Sequence, residues 1–338
     1  MGAMTATTRI AAQLAPQRST QYSNLARDLA EAELLASPIG AGLRDVALRS
    51  IAGQDYLLFD LPGPLTNETV GLLASMAMIG SVFEMFDSIG DVTGPLLRPV
   101  QAVHPAFISP DMAATRRYKG KTNEAFTHFL CNMAKFASDF HGSDWSTLDV
   151  VDPLCGGGTT LFTALSLGAD VAGLDADRTD VESTATFIRQ YCRENRIALA
   201  AKEERLRKLN ARRWLFQIGR DDQRRCMLAH GDAARTRDLL AGFGRPHLIV
   251  TDLPYGIQHS GPLHGLLADC LPGWAELLVP GGAIAFSWDS TRLDREEMMA
   301  LVGKVADLEV VNRPPYDRLA HRVDRVIKRR DVLVARRR

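Results

Sequence analysis

Leu148-Asp149-Val150-Val151-Asp152-Pro153-Leu154-Cys155-Gly156-Gly157-Gly158-Thr159-Thr160-Leu161 is the stretch that decides the fold. A short apolar strand runs into a glycine-rich turn, and Leu161-Phe162-Thr163-Ala164-Leu165 continues as a helix. Glycines let a ligand come close to the backbone, and a helix N-terminus carries partial positive charge. The next apolar run, Val171-Ala172-Gly173-Leu174, ends in Asp175, 23 residues after Asp152. An acid at the end of the second strand of a βαβ unit is placed to bind ribose hydroxyls. The loop is neither the G-x-G-x-x-G of dinucleotide sites nor the Walker pattern, which needs Gly-Lys-Ser/Thr.

A second motif lies about a hundred residues downstream. Leu248-Ile249-Val250 reads as a buried strand that runs out into Thr251-Asp252-Leu253-Pro254-Tyr255-Gly256. An acid, a proline and an aromatic at a strand's carboxyl end suit the grip of a planar amino group. Asp252 and the Leu253 carbonyl accept its N–H bonds, Pro254 stiffens the turn, and Tyr255 offers a stacking face. Gly256 and His259 follow as candidate substrate contacts. At the first motif, Asp152 would repel a pyrophosphate but would hold a cation. S-Adenosylmethionine has an ammonium, a sulfonium, a ribose and an adenine, so Asp152 and Asp175 make sense together as its ligands.

At these residues the chain resembles the class I S-adenosylmethionine-dependent N-methyltransferases. Asp152-Pro153-Leu154-Cys155-Gly156-Gly157-Gly158-Thr159 is similar to that family's Asp-Pro-x-Cys-Gly-Ser-Gly-Thr cofactor loop, with Gly157 in place of serine. Asp252-Leu253-Pro254-Tyr255 resembles its Asp-Pro-Pro-Tyr motif, with Leu253 in place of the first proline. The subgroup it resembles most is the tRNA guanine-N2 methyltransferases. The resemblance covers roughly residues 115–338 and implies several further roles. The cofactor segment extends from Asp175 to Ala176. Asp232-Ala233, within His230-Gly231-Asp232-Ala233, would meet the adenine. Lys121-Thr122-Asn123, ahead of a helix, would add cofactor contacts, and Tyr316 and His321, between the last two strands, would border the substrate.

The 338 residues allow one large or two modest domains, and 46% hydrophobic content supplies a full core. No apolar run reaches the length of a membrane span, and no secretory leader pattern is read at the N-terminus. Cys131, Cys155, Cys192, Cys226 and Cys270 are scattered, without metal-ligand spacing, so no metal is expected. These readings lead to the expectation of a reduced, cytoplasmic protein. Cys155 is read as a packing residue rather than a nucleophile. Forty basic and 40 acidic residues give a formal net charge of zero, which does not mark an RNA-binding surface. Locally basic stretches occur at Lys202–Arg225 and Arg322–Arg338.

The expected architecture is α/β: a Rossmann-like, seven-stranded methyltransferase sheet over residues 115–338, behind a small α+β domain over 1–114. The strands are placed at Leu148–Val151, Val171–Leu174, Met227–Ala229, Leu248–Thr251, Ala283–Ser287, Leu308–Val311 and Val332–Ala335. By family likeness the last two form an antiparallel edge pair. Val181–Arg213 reads as one long helical stretch, Thr69–Phe86 as a helix with an apolar face, and residues 1–20 as frayed. The N-terminal domain is similar to the family's ferredoxin-like domain, but only Thr93–Ser109 remains where an RNA-binding THUMP domain would stand. The expected activity is therefore N-methylation of an amino or guanidine-type nitrogen on a small polar molecule. The alternative is a tRNA or rRNA base methyltransferase acting on guanine-N2 or adenine-N6. A third, remote alternative is an inactive scaffold of the same fold.

Overall fold

The computed structural model describes residues 7–16, 24–102, 105–254, 263–323 and 329–338. The chain forms two units, one of Met1–Pro105 with Arg313–Arg329, the other of Ala106–Asn312 with Arg330–Arg338. The first unit thus ends earlier than residue 114 and takes in the segment that carries Tyr316 and His321.

In the first unit the elements run β1 (Thr7–Leu14), α1 (Leu25–Ala36), β2 (Arg44–Ile51), β3 (Gln54–Pro62), α2 (Asn67–Ala74), β4 (Ile79–Ile89) and β5 (Val92–Val100). The sheet order is β2-β3-β1-β4-β5, a βαββαβ course of ferredoxin-like type lengthened by one hairpin strand. Within the N-terminal stretch expected to fray, Thr7–Leu14 is instead a central strand. Ile10, Ala11 and Ala12 are fully buried, and β1 pairs with both β3 and β4. The helix expected over Thr69–Phe86 stops at Ala74. The carboxylate of Glu33, buried on α1, accepts the Ala77 and Met78 amides at 2.9 Å each, which draws the backbone out of helix. From there Val82 pairs with Ala12 and with Val100 as strand.

The second unit contains α3 (Asp111–Thr115), α4 (Glu124–Ala137), β6 (Asp149–Asp152), α5 (Thr159–Leu167), β7 (Asp170–Asp175), α6 (Arg178–Glu194), β8 (Leu199–Leu206), β9 (Ala211–Ile218), β10 (Arg224–His230), α7 (Thr236–Leu239), β11 (Leu248–Asp252), α8 (Leu263–Leu277), β12 (Ala283–Asp289), α9 (Arg295–Val302), β13 (Leu308–Val310) and β14 (Arg330–Arg337). The sheet order is β13-β14-β12-β11-β6-β7-β10-β9-β8. β6, β7, β10, β11 and β12 are parallel, as buried apolar runs joined by helices require. β14 lies antiparallel between β12 and β13. Without β8 and β9 this is the expected Rossmann-like sheet of seven strands.

The long helix expected over Val181–Arg213 is corrected. α6 ends at Glu194, Arg196 turns at φ 57°, and the chain re-enters the sheet as the β8–β9 hairpin beside β10. Ala211, Trp214, Phe216 and Ile218 are buried, and the last three recur at a period of two. Among the described residues no helix is long and apolar enough to cross a membrane.

Strand order reverses between β6 and β11. From β6 the sheet grows through β7 in one direction, and from β11 through β12 in the other. The crevice outside the carboxyl ends at such a reversal is where open α/β sheets take ligands. Both motifs emerge there.

Candidate active site

Leu248 and Ile249 pair with Val150 and Val151, so Asp152 and Asp252 leave the sheet at the same end of neighbouring strands. Asp152 is 2% exposed. Its Oδ1 accepts the Leu154 amide at 3.0 Å, which closes the turn on itself. Burial pushes this carboxyl up to about 7, against hydrogen bonding from Thr160 and the Leu154 N–H. A buried acid whose charge is penalised in this way gains most from a bound cation.

The turn continues through Gly156 and Gly158, at φ 47° and 90°. Asp175, at the end of β7, fastens it. Its Oδ2 accepts the Gly156 amide and its Oδ1 the Asp177 amide, each at 2.8 Å. Each oxygen keeps a lone pair for a hydroxyl. Ala176 follows, exposed. Cys155 is buried, its amide bonded to the Leu174 carbonyl, and desolvation raises its thiol well above the ordinary range. That environment suits packing and not a thiolate nucleophile.

Gly157 meets a side chain rather than open space. A Cβ there would lie 2.4 Å from the Tyr118 ring. The Tyr118 hydroxyl is 2.7 Å from Thr159 Oγ1 at the start of α5, and burial pushes the phenol up to about 12. The Arg116 guanidinium lies 5.7 Å from the Tyr118 ring centre and 5.3 Å from that of Phe187, and it donates to Ser183 Oγ at 2.6 Å. Residues 116–123 therefore strap the glycine loop, with Tyr118 its direct neighbour.

The same strap reaches the second motif. Thr122 Oγ1 donates to Asp252 Oδ2 at 2.5 Å. Ser287 Oγ, on β12, donates to Asp252 Oδ1. Arg330 Nη2, on β14, stands 3.7 Å from Asp252 Oδ2. The other two strap candidates are engaged elsewhere. Lys121 pairs with Glu124 and the Ala114 carbonyl, and Asn123 caps α4 by accepting the Phe126 amide at 3.0 Å. Leu253 is buried, its amide bonded to the Ser287 carbonyl at 2.9 Å, and Pro254 follows half-buried. Tyr255, Gly256 and His259 lie outside the described residues.

On β10 and beyond, Gly231 donates to the Asp175 carbonyl at 2.9 Å, which brings the next turn beside the ribose candidate. Asp232 is exposed and caps a short 3-10 turn through the Ala234 amide at 2.9 Å. Ala233 is buried, with its carbonyl accepting from Trp274 Nε1 and Thr236 Oγ1. Tyr316 and His321 belong to the first unit, where both are buried. Ser287 and Arg330 were not anticipated: the first lies inside an apolar strand, the second inside a basic run.

A cavity of about 400 Å³ lies at the β8–β9 hairpin, with Lys202, Leu215, Arg225, Met227 and Phe243 in its wall. None of the residues around Asp152 or Asp252 lines it. Among the described residues no cluster of three metal-ligating side chains occurs.

No family model matches the chain, and no curated protein sequence matches it. Among solved structures it is similar to TrmN from Thermus thermophilus, at 14% identity and a TM-score of 0.45, over 98% of this chain and 100% of that one. It is also similar to magnesium protoporphyrin IX methyltransferase from Synechocystis PCC 6803 with bound SAM, at 14% and 0.40, over 66% and 86% of the two chains. A TehB-like SAM-dependent methyltransferase from Corynebacterium glutamicum aligns at 14% identity with a TM-score of 0.34, over 56% of this chain and 80% of that one.

Proposed function

We propose that the protein is an S-adenosylmethionine-dependent N-methyltransferase whose acceptor is the exocyclic amino group of a nucleobase in RNA. The observation that carries this reading is the emergence of Asp152 and Asp252 on adjacent parallel strands at the reversal of the sheet. When bound, S-adenosylmethionine supplies an electrophilic methyl group on a sulfonium. Asp152 with the Gly156–Gly158 turn would hold its cationic amino-acid end, Asp175 its ribose hydroxyls, and Asp232 with Ala233 its adenine.

On the acceptor side, Asp252 and the Leu253 carbonyl take the N–H bonds of the amino group and orient the nitrogen lone pair. Tyr255 provides the face on which the attached ring stacks. The nitrogen sheds its extra proton after transfer, and Asp252 is the acceptor that the motif offers. RNA is favoured by the first unit. Its sheet carries a cluster made of strand residues alone, with Tyr56 and Leu58 packed by Phe83, Met85 and Leu97. Tyr56 is buried there, so the half-buried Phe83 is the ring of this cluster that could stack on an unpaired base.

A free small molecule is the second reading. It is favoured by the self-neutralisation of the basic hairpin, where Lys202 and Arg213 pair with Glu204 at 2.7 and 2.6 Å and Arg212 with Glu203 at 3.5 Å. Incubation with methyl-labelled cofactor and a cell lysate split into RNA and small-molecule fractions separates the readings. Label in RNA is expected. Label in small molecules alone supports the second reading, and cofactor binding with label in neither fraction supports an inactive scaffold.

A further inference from the structure

Arg330 opens β14 opposite Asp289 of β12 and is 2% exposed. Its guanidinium lies 4.7 Å over the Phe126 ring of α4, and its Nη2 stands 3.7 Å from Asp252 Oδ2. A strand, a helix and the acceptor motif therefore hold this cation in place, while the Asp252 side chain stays 14% exposed. A lone carboxylate at the mouth of a site attracts any cation. A carboxylate with a fixed guanidinium behind it does not, because an entering positive charge meets attraction and repulsion of similar size and still gives up its hydration. The Asp252 oxygens nevertheless keep their capacity to accept N–H bonds.

We propose that Arg330 is the specificity-determining residue of the acceptor site: it neutralises Asp252, so that the site takes an uncharged planar amine, such as an aminopurine, and turns away amidinium and guanidinium groups. This rests on the reading of Asp252 as the amino-group acceptor. It divides the acceptors left open by the motif, since an exocyclic amine on a base is neutral and a guanidine is protonated at ordinary pH. Arg330 acts through Asp252 and does not itself touch the reacting atoms.

The test is equilibrium dialysis of two planar probes, neutral guanosine and cationic benzamidine, against wild type, Arg330→Met and Arg330→Lys. Wild type is expected to retain guanosine more tightly. Arg330→Met should move the ratio toward benzamidine by about tenfold or more, and Arg330→Lys should keep the wild-type order. A wild type that prefers benzamidine, or a ratio unmoved in Arg330→Met, overturns the proposal. A ligand-free measurement accompanies it. Arg330→Met should lower the melting temperature more in the wild-type background than in Asp252→Asn, and equal losses in the two backgrounds overturn the neutralising role. Neither result depends on methyl transfer, so a protein that transfers no label refutes the methyltransferase reading without deciding the part played by Arg330.

Discussion

Thr122 Oγ1 donates a hydrogen bond to Asp252 Oδ2 at 2.5 Å, across 130 residues of sequence. Thr122 belongs to the segment that sequence likeness assigns to the cofactor, and Asp252 to the motif assigned to the acceptor. Four residues before Thr122, Tyr118 lies on Gly157. One strap therefore touches both motifs. Thr122→Val, which removes the hydroxyl and keeps the shape, is expected to reduce turnover about tenfold to a hundredfold while changing cofactor affinity little, because a hydrogen bond to a charged group is worth about 1.5–3 kcal/mol. Turnover rates and a cofactor titration on the variant check this, with Thr122→Ser retaining most of the activity.

The Tyr118–Gly157 contact gives a second expectation. A Cβ at residue 157 would sit 2.4 Å from the ring, far inside contact distance. Gly157→Ala should cost about 1–3 kcal/mol of stability, as overpacking does. The same change in a Tyr118→Ala background should cost less than half as much. Denaturant unfolding of the four proteins gives the comparison.

With Asp152 as the proposed ligand of a cationic cofactor, stability and cofactor binding should depend on pH in opposite senses. Burial raises its carboxyl from 3.8 to about 7. Between these values the folded protein keeps a proton that the unfolded chain releases, so stability falls as pH rises through that window. Asp149, raised by burial to about 6, adds to the same trend. A cation bound by Asp152 favours the ionised form, so cofactor affinity should rise with pH, by about tenfold between pH 6 and 8. Asp152→Asn should flatten both dependences, which thermal unfolding and calorimetric titration across this range would measure.

Glu33 holds the first unit's fold at the point where α2 gives way to β4. Its two carboxylate oxygens accept the buried amides of Ala77 and Met78. Glu33→Ala leaves both N–H groups without that acceptor and should destabilise the protein by about 2–5 kcal/mol. Glu33→Gln keeps one acceptor oxygen and should cost less. Chemical denaturation resolves the two.

The parallel strands of the second unit were legible because each has a short apolar centre between turn residues. β6, β7, β10, β11 and β12 all lie where such runs predict them. The antiparallel additions were harder to see. β8 lacks alternation: its four consecutive charged residues, Lys202, Glu203, Glu204 and Arg205, continue the charged pattern of α6, and β9 opens on the adjacent pair Arg212-Arg213. β1, Thr-Thr-Arg-Ile-Ala-Ala-Gln-Leu, has Ile10 and Leu14 as its large aliphatic residues, and that composition does not signal its central position. Leu72, Leu73, Met76 and Val82 keep helical spacing across the end of α2 and into β4, and only the tertiary contact from Glu33 shows where the helix stops. In the site, the two aspartates at the strand ends could be read from motif and spacing. Arg330 could not, since within a run of arginines nothing local distinguishes the buried one. Lys121 and Asn123 are cofactor contacts only by family likeness of their segment; in the structure Lys121 pairs with Glu124 and Asn123 caps α4.

The loop of Asp152 and the turn of Asp252 are proposed to serve one reaction, methyl transfer to an exocyclic amino nitrogen. The most direct measurement supplies methyl-labelled cofactor and cellular RNA to the wild type and to Asp252→Asn, digests the RNA to nucleosides and locates the label. The proposed reaction puts label on the exocyclic amine of a purine nucleoside with the wild type. With Asp252→Asn it gives loss of label at unchanged cofactor affinity. Label on a ring nitrogen, a base carbon or a ribose oxygen, or full labelling by Asp252→Asn, would contradict it.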